Sequence, residues 1–238
     1  MFNAIIDWFD ARYSPVAVAS NPHPPMGTRN FVVYFVKQFR TGIVLRMGAV
    51  AIGSVADAML PVFVGLVVGF LASTKPGEMF TQNWRVLLIM FITVAIVRPL
   101  VFIFDTLLRN HSIQPSLVNR TRWQSHFHVI RQSWTFFQND FAGRIGNKIL
   151  QSGESMETAV NGIVDAVWYA VVFVVVAIVV LARLDWILLI PIAAWLVLYA
   201  ILFAIVMPRI AKHSELLSEV RSVMTGRIVD SYANIQTL

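Results

Sequence analysis

Residues 165–208 read DAVWYAVVFVVVAIVVLARLDWILLIPIAAWLVLYAILFAIVMP. No charged side chain falls between Ala166 and Ala182, and none between Trp186 and Pro208; Arg183-Leu184-Asp185 separates the two runs. At ~1.5 Å per helical residue each run reaches about the ~30 Å of a bilayer's hydrocarbon core, the first only once its flanks are included. The separator leaves no room for a soluble domain. The pattern predicts a membrane hairpin: one helix across, a tight turn at the surface, one helix back. The alternative is a buried helical hairpin in a soluble protein, but no soluble core calls for two such runs side by side.

Composition agrees with the hairpin. Of 238 residues, 57% are hydrophobic and 13% charged, about half the charge of an ordinary soluble domain. Mean hydropathy is +0.68. Lipid restricts spans to helices or a closed barrel, and these runs are too long and too uniformly apolar for barrel strands. The expected fold class is therefore an all-α polytopic membrane protein. With no cysteine, a disulfide framework and thiolate metal sites are excluded. The formal charge of +6 and the pI near 10.1 would point to nucleic acid in a soluble protein. Here the sign is read by location, because basic residues gather on the cytoplasmic side of membranes, and no nucleic-acid partner is expected.

Residues 1–28 form an N-terminal segment. Met1 to Asp10 is compatible with a short amphipathic piece. Ser14 to Gly27 contains Pro15, Pro22, Pro24 and Pro25 and reads as an irregular linker. No secretory signal pattern is present. In residues 29–41, Phe31, Val32, Phe35, Val36 and Phe39 form one apolar helical stripe, with Arg29, Lys37 and Arg40 placed for lipid headgroups. An interfacial helix lying in the membrane plane fits this pattern; the alternative is the end of the following span.

Four spans are expected, at about 42–73, 84–104, 165–183 and 185–208. Residues 105–164 and 209–238 are too polar to cross, and their helix-compatible sequence predicts long helices projecting from the membrane. Five Lys and Arg precede or open the first span, six lie in 105–164 and four in the tail, whereas the two short loops hold Lys75, Arg85 and Arg183. That bias places both termini and the middle segment in the cytoplasm, in an inner (plasma) membrane.

Charges inside spans are costly and face a partner or a wet cavity. Asp57 and Arg98 lie at matched depths on neighbouring antiparallel spans, which predicts an ion pair or a shared polar cavity. Asp105 follows Arg98 by two turns on the same face. These three are the candidate intramembrane polar or translocation residues. Gly143-Arg144-Ile145-Gly146-Asn147-Lys148 is glycine-containing but lacks the Gly-Lys-Ser/Thr of a phosphate-cradling loop. His126 and His128 point about 200° apart on a helix, a poor geometry for sharing a metal, so no metal site is expected. No nucleophile–base arrangement stands out, so no catalytic residue is assigned. Trp134, Phe136, Phe137 and Phe141 sit in polar sequence, where exposed apolar surface marks a partner or packing between the chain's own helices. Leu217, Val220, Val223 and Met224 are set similarly among charges in the tail.

Two segments carry a family resemblance. Phe136-Phe137-Gln138-Asn139-Asp140-Phe141-Ala142-Gly143-Arg144-Ile145 resembles the segment after the first cytoplasmic loop of type I ABC exporters. Residues Arg221 to Leu238 (RSVMTGRIVDSYANIQTL) resemble the region after span four, especially in bacterial subfamily B transporters of the multidrug-efflux type. The resemblance covers roughly residues 29–238. It implies that 29–41 is an elbow helix and that 42–238 is part of a six-helix membrane domain with long cytoplasmic extensions. It also implies two short coupling helices docking on nucleotide-binding domains, mapped near His126–Trp134 (His126, Phe127, Ile130, Arg131, Trp134) and Leu217–Met224 (Leu217, Val220, Arg221, Met224). ATP and Mg are implied for the nucleotide-binding domain and no cofactor for this chain. The partners implied are that domain, a second transporter half in a homodimer, the lipid bilayer and a small-molecule substrate moved by alternating access.

The sequence ends where that pattern places span five, and it lacks the Walker motifs and the ABC signature. The expectation is a fragment, a truncated frame or a remnant that does not itself hydrolyse ATP. Two competing readings are a self-contained four-span adaptor or channel and a membrane enzyme; the latter requires a catalytic cluster that the sequence does not present.

Overall fold

The computed structural model describes Asp7, Tyr13, Ser14, Val16 and residues 24–73, 79–138 and 142–233, without side chains at 79, 142, 143, 222, 230 and 233. The amphipathic piece expected in 1–10, part of the proline linker, the loop at 74–78, Asn139-Asp140-Phe141 and the end of the tail from Asn234 lie outside the described residues. All regular structure among the described residues is helical.

Helix α1 (Thr28–Gln38) follows Gly27, whose φ of 90° is a left-handed value that glycine adopts without strain. Phe39 separates α1 from α2 (Arg40–Ser73). After a single turn at Met79–Gln82, α3 runs from Trp84 to Val129, α4 is the short helix Trp134–Gln138, and α5 runs from Arg144 to Leu184. The last helix, α6 (Leu189–Ala233), has 45 residues, roughly 68 Å at the helical rise. Among the described residues, four helices are long and apolar enough to cross a membrane: α2, α3, α5 and Trp186–Val229. Both α3 and α6 continue far past the charge-free stretches, as helices projecting from a bilayer do.

The turn expected at Arg183-Leu184-Asp185 is built by the aspartate. Asp185 is extended at φ −159° and its carboxylate accepts the Ile187 N–H at 3.0 Å. That caps the short turn Trp186–Leu188, from which α6 starts.

Two compact units emerge. One holds the described residues up to Arg131 together with Leu150–Ala177; the other holds Gln132–Ile149 and Ile178–Leu238. The first contains a packed core. Phe35 and Phe39 are fully buried and, with Ile43, form a stripe continuing from α1 into α2, against Leu108, Ile113 and Leu117 of α3 and Met156, Val160 and Val164 of α5. Each buried phenylalanine contributes about 1.5–3 kcal/mol. The apolar windows of the long helices remain almost entirely exposed, as lipid-facing surface should.

The chain before α1 returns to this core. Gly42, in the first turn of α2, has a backbone donor without an intrahelical partner; it donates to the Tyr13 hydroxyl at 2.9 Å. A Cβ at Gly42 would lie 2.8 Å from that oxygen, so only glycine allows this approach. Ser116 donates to the Tyr13 carbonyl at 3.0 Å, and Arg120 donates to the Ser14 carbonyl at 2.6 and 3.2 Å. The Arg120 guanidinium also lies 4.6 Å from the Phe39 ring centroid.

Among the described residues, three π-helical stretches interrupt the long helices: Ile92–Val97 and Leu108–Ile113 in α3, and Gly162–Trp168 in α5. The first two have a readable cause. Pro99 and Pro115 lack an N–H, and each ring would meet the carbonyl four residues back in a regular α-helix. The residues just before them, Arg98 and Gln114, donate instead to the carbonyls of Thr93 and Arg109, five residues back. The widened turn removes the clash without breaking the helix.

Candidate functional site

The three widened turns bring six charged side chains into one region of the first unit. Arg46 is its hub, with a side chain only 1% exposed. Its Nε donates to Asp105 Oδ1 at 3.2 Å and its Nη1 to Asn161 Oδ1 at 2.7 Å, while Nη2 donates to Asp165 Oδ1. Arg109 Nη1 donates to the other oxygen of Asp165 at 3.4 Å. Burying one guanidinium is tolerable only with such saturation, because an unpaired buried charge costs several kcal/mol. Asn161 and Asp165 are four apart on α5, which sets both acceptors on one side of the helix.

A second group lies beside the first. Arg98 Nε donates to Asp57 Oδ1 at 2.6 Å, and the Tyr169 hydroxyl donates to Asp57 Oδ2 at 3.1 Å. Tyr169 follows the widened turn of α5, and its carbonyl accepts from Ser54 Oγ at 3.0 Å. Trp168 Nε1 donates to the Met47 carbonyl at 2.9 Å. These bonds fasten α2 to α5 where apolar surface alone gives helices in lipid little reason to associate.

Between the groups lies a cavity of about 580 Å³, the size of a pocket for a drug-sized molecule. Val50, Val101, Phe102 and Pro99 supply apolar wall, and Asp57, Arg98, Asp105, Arg109 and Asp165 supply charge. Arg46, Arg98 and Arg109 balance Asp57, Asp105 and Asp165, so the region is formally neutral.

Of the residues singled out from sequence, Asp57 and Arg98 meet directly, and Asp105 lines the same cavity while pairing with Arg46. Arg46, Arg109, Asn161, Asp165 and Tyr169 were not singled out. Arg46 carried a partial signal, a charge near the start of the first span, with nothing to name its partners. Asn161 and Asp165 had none beyond their four-residue spacing.

The expected coupling segments take a different form. His126 and Phe127 belong to the last turn of α3, Ile130 and Arg131 lie in the turn after it, and Trp134 opens α4. The short helix is thus Trp134–Gln138, not His126–Trp134, because the chain breaks at 130–133: Ile130 and Arg131 donate back to His126 and His128, and Phe136 donates to the Ser133 carbonyl at 3.0 Å. Trp134 is 76% exposed. Leu217, Val220, Arg221 and Met224 are exposed, but they lie inside α6 and form no separate helix. No proline or glycine falls between Arg209 and Thr225 to end it. Gly146 and Lys148 also lie within a helix, where backbone donors are engaged and cannot cradle a phosphate.

Residues 43–238 match the family model for the ABC transporter transmembrane region. The chain belongs to this family. Over 239 aligned residues, and across its whole length, it is 28% identical to a Haemophilus influenzae protein named "Uncharacterized ABC transporter ATP-binding protein". It spans 39% of that protein's length. No solved structure matches it significantly. The four membrane-length helices are thus those of an ABC transmembrane region, and the chain is a membrane protein. The charged cavity lies among α2, α3 and α5 of that region, whereas residues 1–42 precede the matched part.

Proposed function

We infer that the chain is the membrane-spanning part of an ATP-driven ABC exporter of the subfamily B, multidrug-efflux-like type. It moves a small or amphipathic compound out of the cytoplasm by alternating access. The observation that carries this reading is the family match over 43–238 in a chain whose helices run well beyond bilayer length. Helices of that length transmit motion from a cytoplasmic motor into the membrane. ATP and Mg bind on a nucleotide-binding domain, not on this chain. Trp134–Gln138, the adjoining His126, Phe127, Ile130 and Arg131, and the exposed Leu217, Val220, Arg221 and Met224 form the surfaces that domain grips. Exposed aromatic and apolar groups among charges suit such a contact. The functional unit pairs two halves as a homodimer in the inner membrane, with both termini cytoplasmic.

The test uses inverted membrane vesicles containing the full-length protein. ATP-dependent, uphill accumulation of a fluorescent amphipathic compound is the expected result. Downhill flux that is indifferent to ATP would overturn the exporter reading in favour of a channel.

A further inference from the structure

The cavity contains arginine N–H donors that have no acceptor among the described residues. Both oxygens of Asp57 accept, from Arg98 and Tyr169, and both oxygens of Asp165 accept, from Arg46 and Arg109. Asp105 accepts from Arg46 through one oxygen and is only 16% exposed. Five of the six carboxylate oxygens are therefore engaged. Arg98 uses only its Nε, and its side chain is 51% exposed. Among the described residues its Nη1 and Nη2 have no partner, and Arg98 is one of the residues that line the cavity. Arg109 likewise keeps Nη2. The site is neutral in sum, and its unpartnered N–H donors are those of Arg98 and Arg109.

Arg98 lies 14 residues into α3 from Trp84, roughly 21 Å along the helix, and so about two-thirds of the way across a ~30 Å core. An unsaturated guanidinium at that depth requires an anion or water. The wall beside it, Val50, Val101 and Phe102, is apolar. The paired Nη donors match the geometry of a phosphate, sulfate or carboxylate, which arginine grips in two-pronged fashion.

We propose that the cavity between α2, α3 and α5 binds an amphipathic anion, its oxyanion head held by the free edge of Arg98 and by Arg109 and its apolar body laid against Phe102 and Val101. Asp57 and Tyr169 are positioning residues: Asp57 holds Arg98 by its Nε, Tyr169 holds Asp57, and the Nη edge is left for the ligand. Calling this ligand a substrate rests on the exporter reading; the binding itself does not.

The test places the full-length protein in phosphatidylcholine nanodiscs and titrates three probes of equal chain length: dodecyl phosphate, dodecyltrimethylammonium and dodecanol. Binding is followed by tryptophan fluorescence and by native mass spectrometry. Dodecyl phosphate is expected to bind at least tenfold tighter than the other two. Arg98→Gln should remove that preference. Arg98→Lys keeps the charge beside Asp57 but loses the fork, and should weaken phosphate binding about tenfold while leaving dodecanol unaffected. Should Arg98→Gln fail to fold, Arg109→Gln reports on the same head-group contact. Replacing phosphatidylcholine by phosphatidylglycerol separates two sources of the anion: competition with the probe identifies a membrane lipid, and no competition identifies a free amphiphile. Equal affinity for the three probes, preference for the cation, or unchanged phosphate binding in both Arg98 variants overturns the proposal. Loss of ATP-driven transport with binding intact would count against the exporter reading alone.

Discussion

Replacing Arg46 with methionine should strongly destabilise the first unit. The side chain is 1% exposed and serves three acceptors on two other helices: Asp105, Asn161 and Asp165. Methionine fills a similar volume, so little of the effect comes from a void. What remains is two carboxylates without their shared cation, one of them only 16% exposed. Removing one member of a buried ion pair costs about 3–5 kcal/mol, because the charge left behind is uncompensated. Arg109 still neutralises Asp165 from a partly exposed position, which argues for the lower half of that range, about 3–4 kcal/mol. Against a typical total of ~5–15 kcal/mol this is a large fraction. The assay is reversible unfolding in mixed micelles, followed by the helical circular dichroism signal. The triple variant Arg46→Met/Asp105→Asn/Asp165→Asn removes the stranded charges and should recover most of the loss. A single-variant effect below about 1 kcal/mol, or a triple variant no better than the single, would refute the reasoning.

Asp57 and Arg98 are more exposed, so a double-mutant cycle with Asp57→Asn and Arg98→Gln should give a coupling of only about 1 kcal/mol in the same unfolding assay; strict additivity would mean that the pair contributes nothing. At Gly153 a Cβ would come within 2.8 Å of the Val118 carbonyl and 3.0 Å of Arg122, where α3 and α5 are also joined by Arg122 and Glu154 at 2.9 Å. Gly153→Ala should therefore push these helices apart and lower stability by about 1–3 kcal/mol, which thermal unfolding checks; an unchanged midpoint would contradict the close approach. Trp134→Ala should leave the unfolding midpoint within about 0.5 kcal/mol, since the side chain is largely exposed, yet reduce ATP hydrolysis severalfold when the nucleotide-binding domain is present.

The two apolar helices within 165–208 were legible because charge-free length is a direct physical requirement of a bilayer, and the break between them was marked by Arg183 and Asp185. The Asp57–Arg98 contact could be read because depth along two antiparallel helices is simple counting. The hub at Arg46 could not. It stands near the start of α2, where it counts with the basic residues that set orientation, and two of its three partners lie more than a hundred positions away on α5. The widened turns add to the difficulty: a π-helical stretch rotates everything beyond it relative to a uniform 3.6-residue helix, so face assignments past Ile92 drift. Pro99 and Pro115 were the available warning. The segment mapped near His126–Trp134 meets the short helix Trp134–Gln138 only at Trp134. Aromatic content marked the region, but the boundary is set where the chain breaks, at 130–133. In the tail, apolar residues among charges suggested a separate element, yet nothing in that sequence stops a helix.

The most direct test is ATP hydrolysis by the 238-residue chain in lipid nanodiscs, measured alone and with its nucleotide-binding domain. No nucleotide binding or turnover by the chain alone, and turnover that depends on Trp134 once the domain is added, is the expected result. Specific ATP turnover by the chain alone would contradict it, since a nucleotide site would then have to exist within a region read here as the membrane-spanning part of the machine.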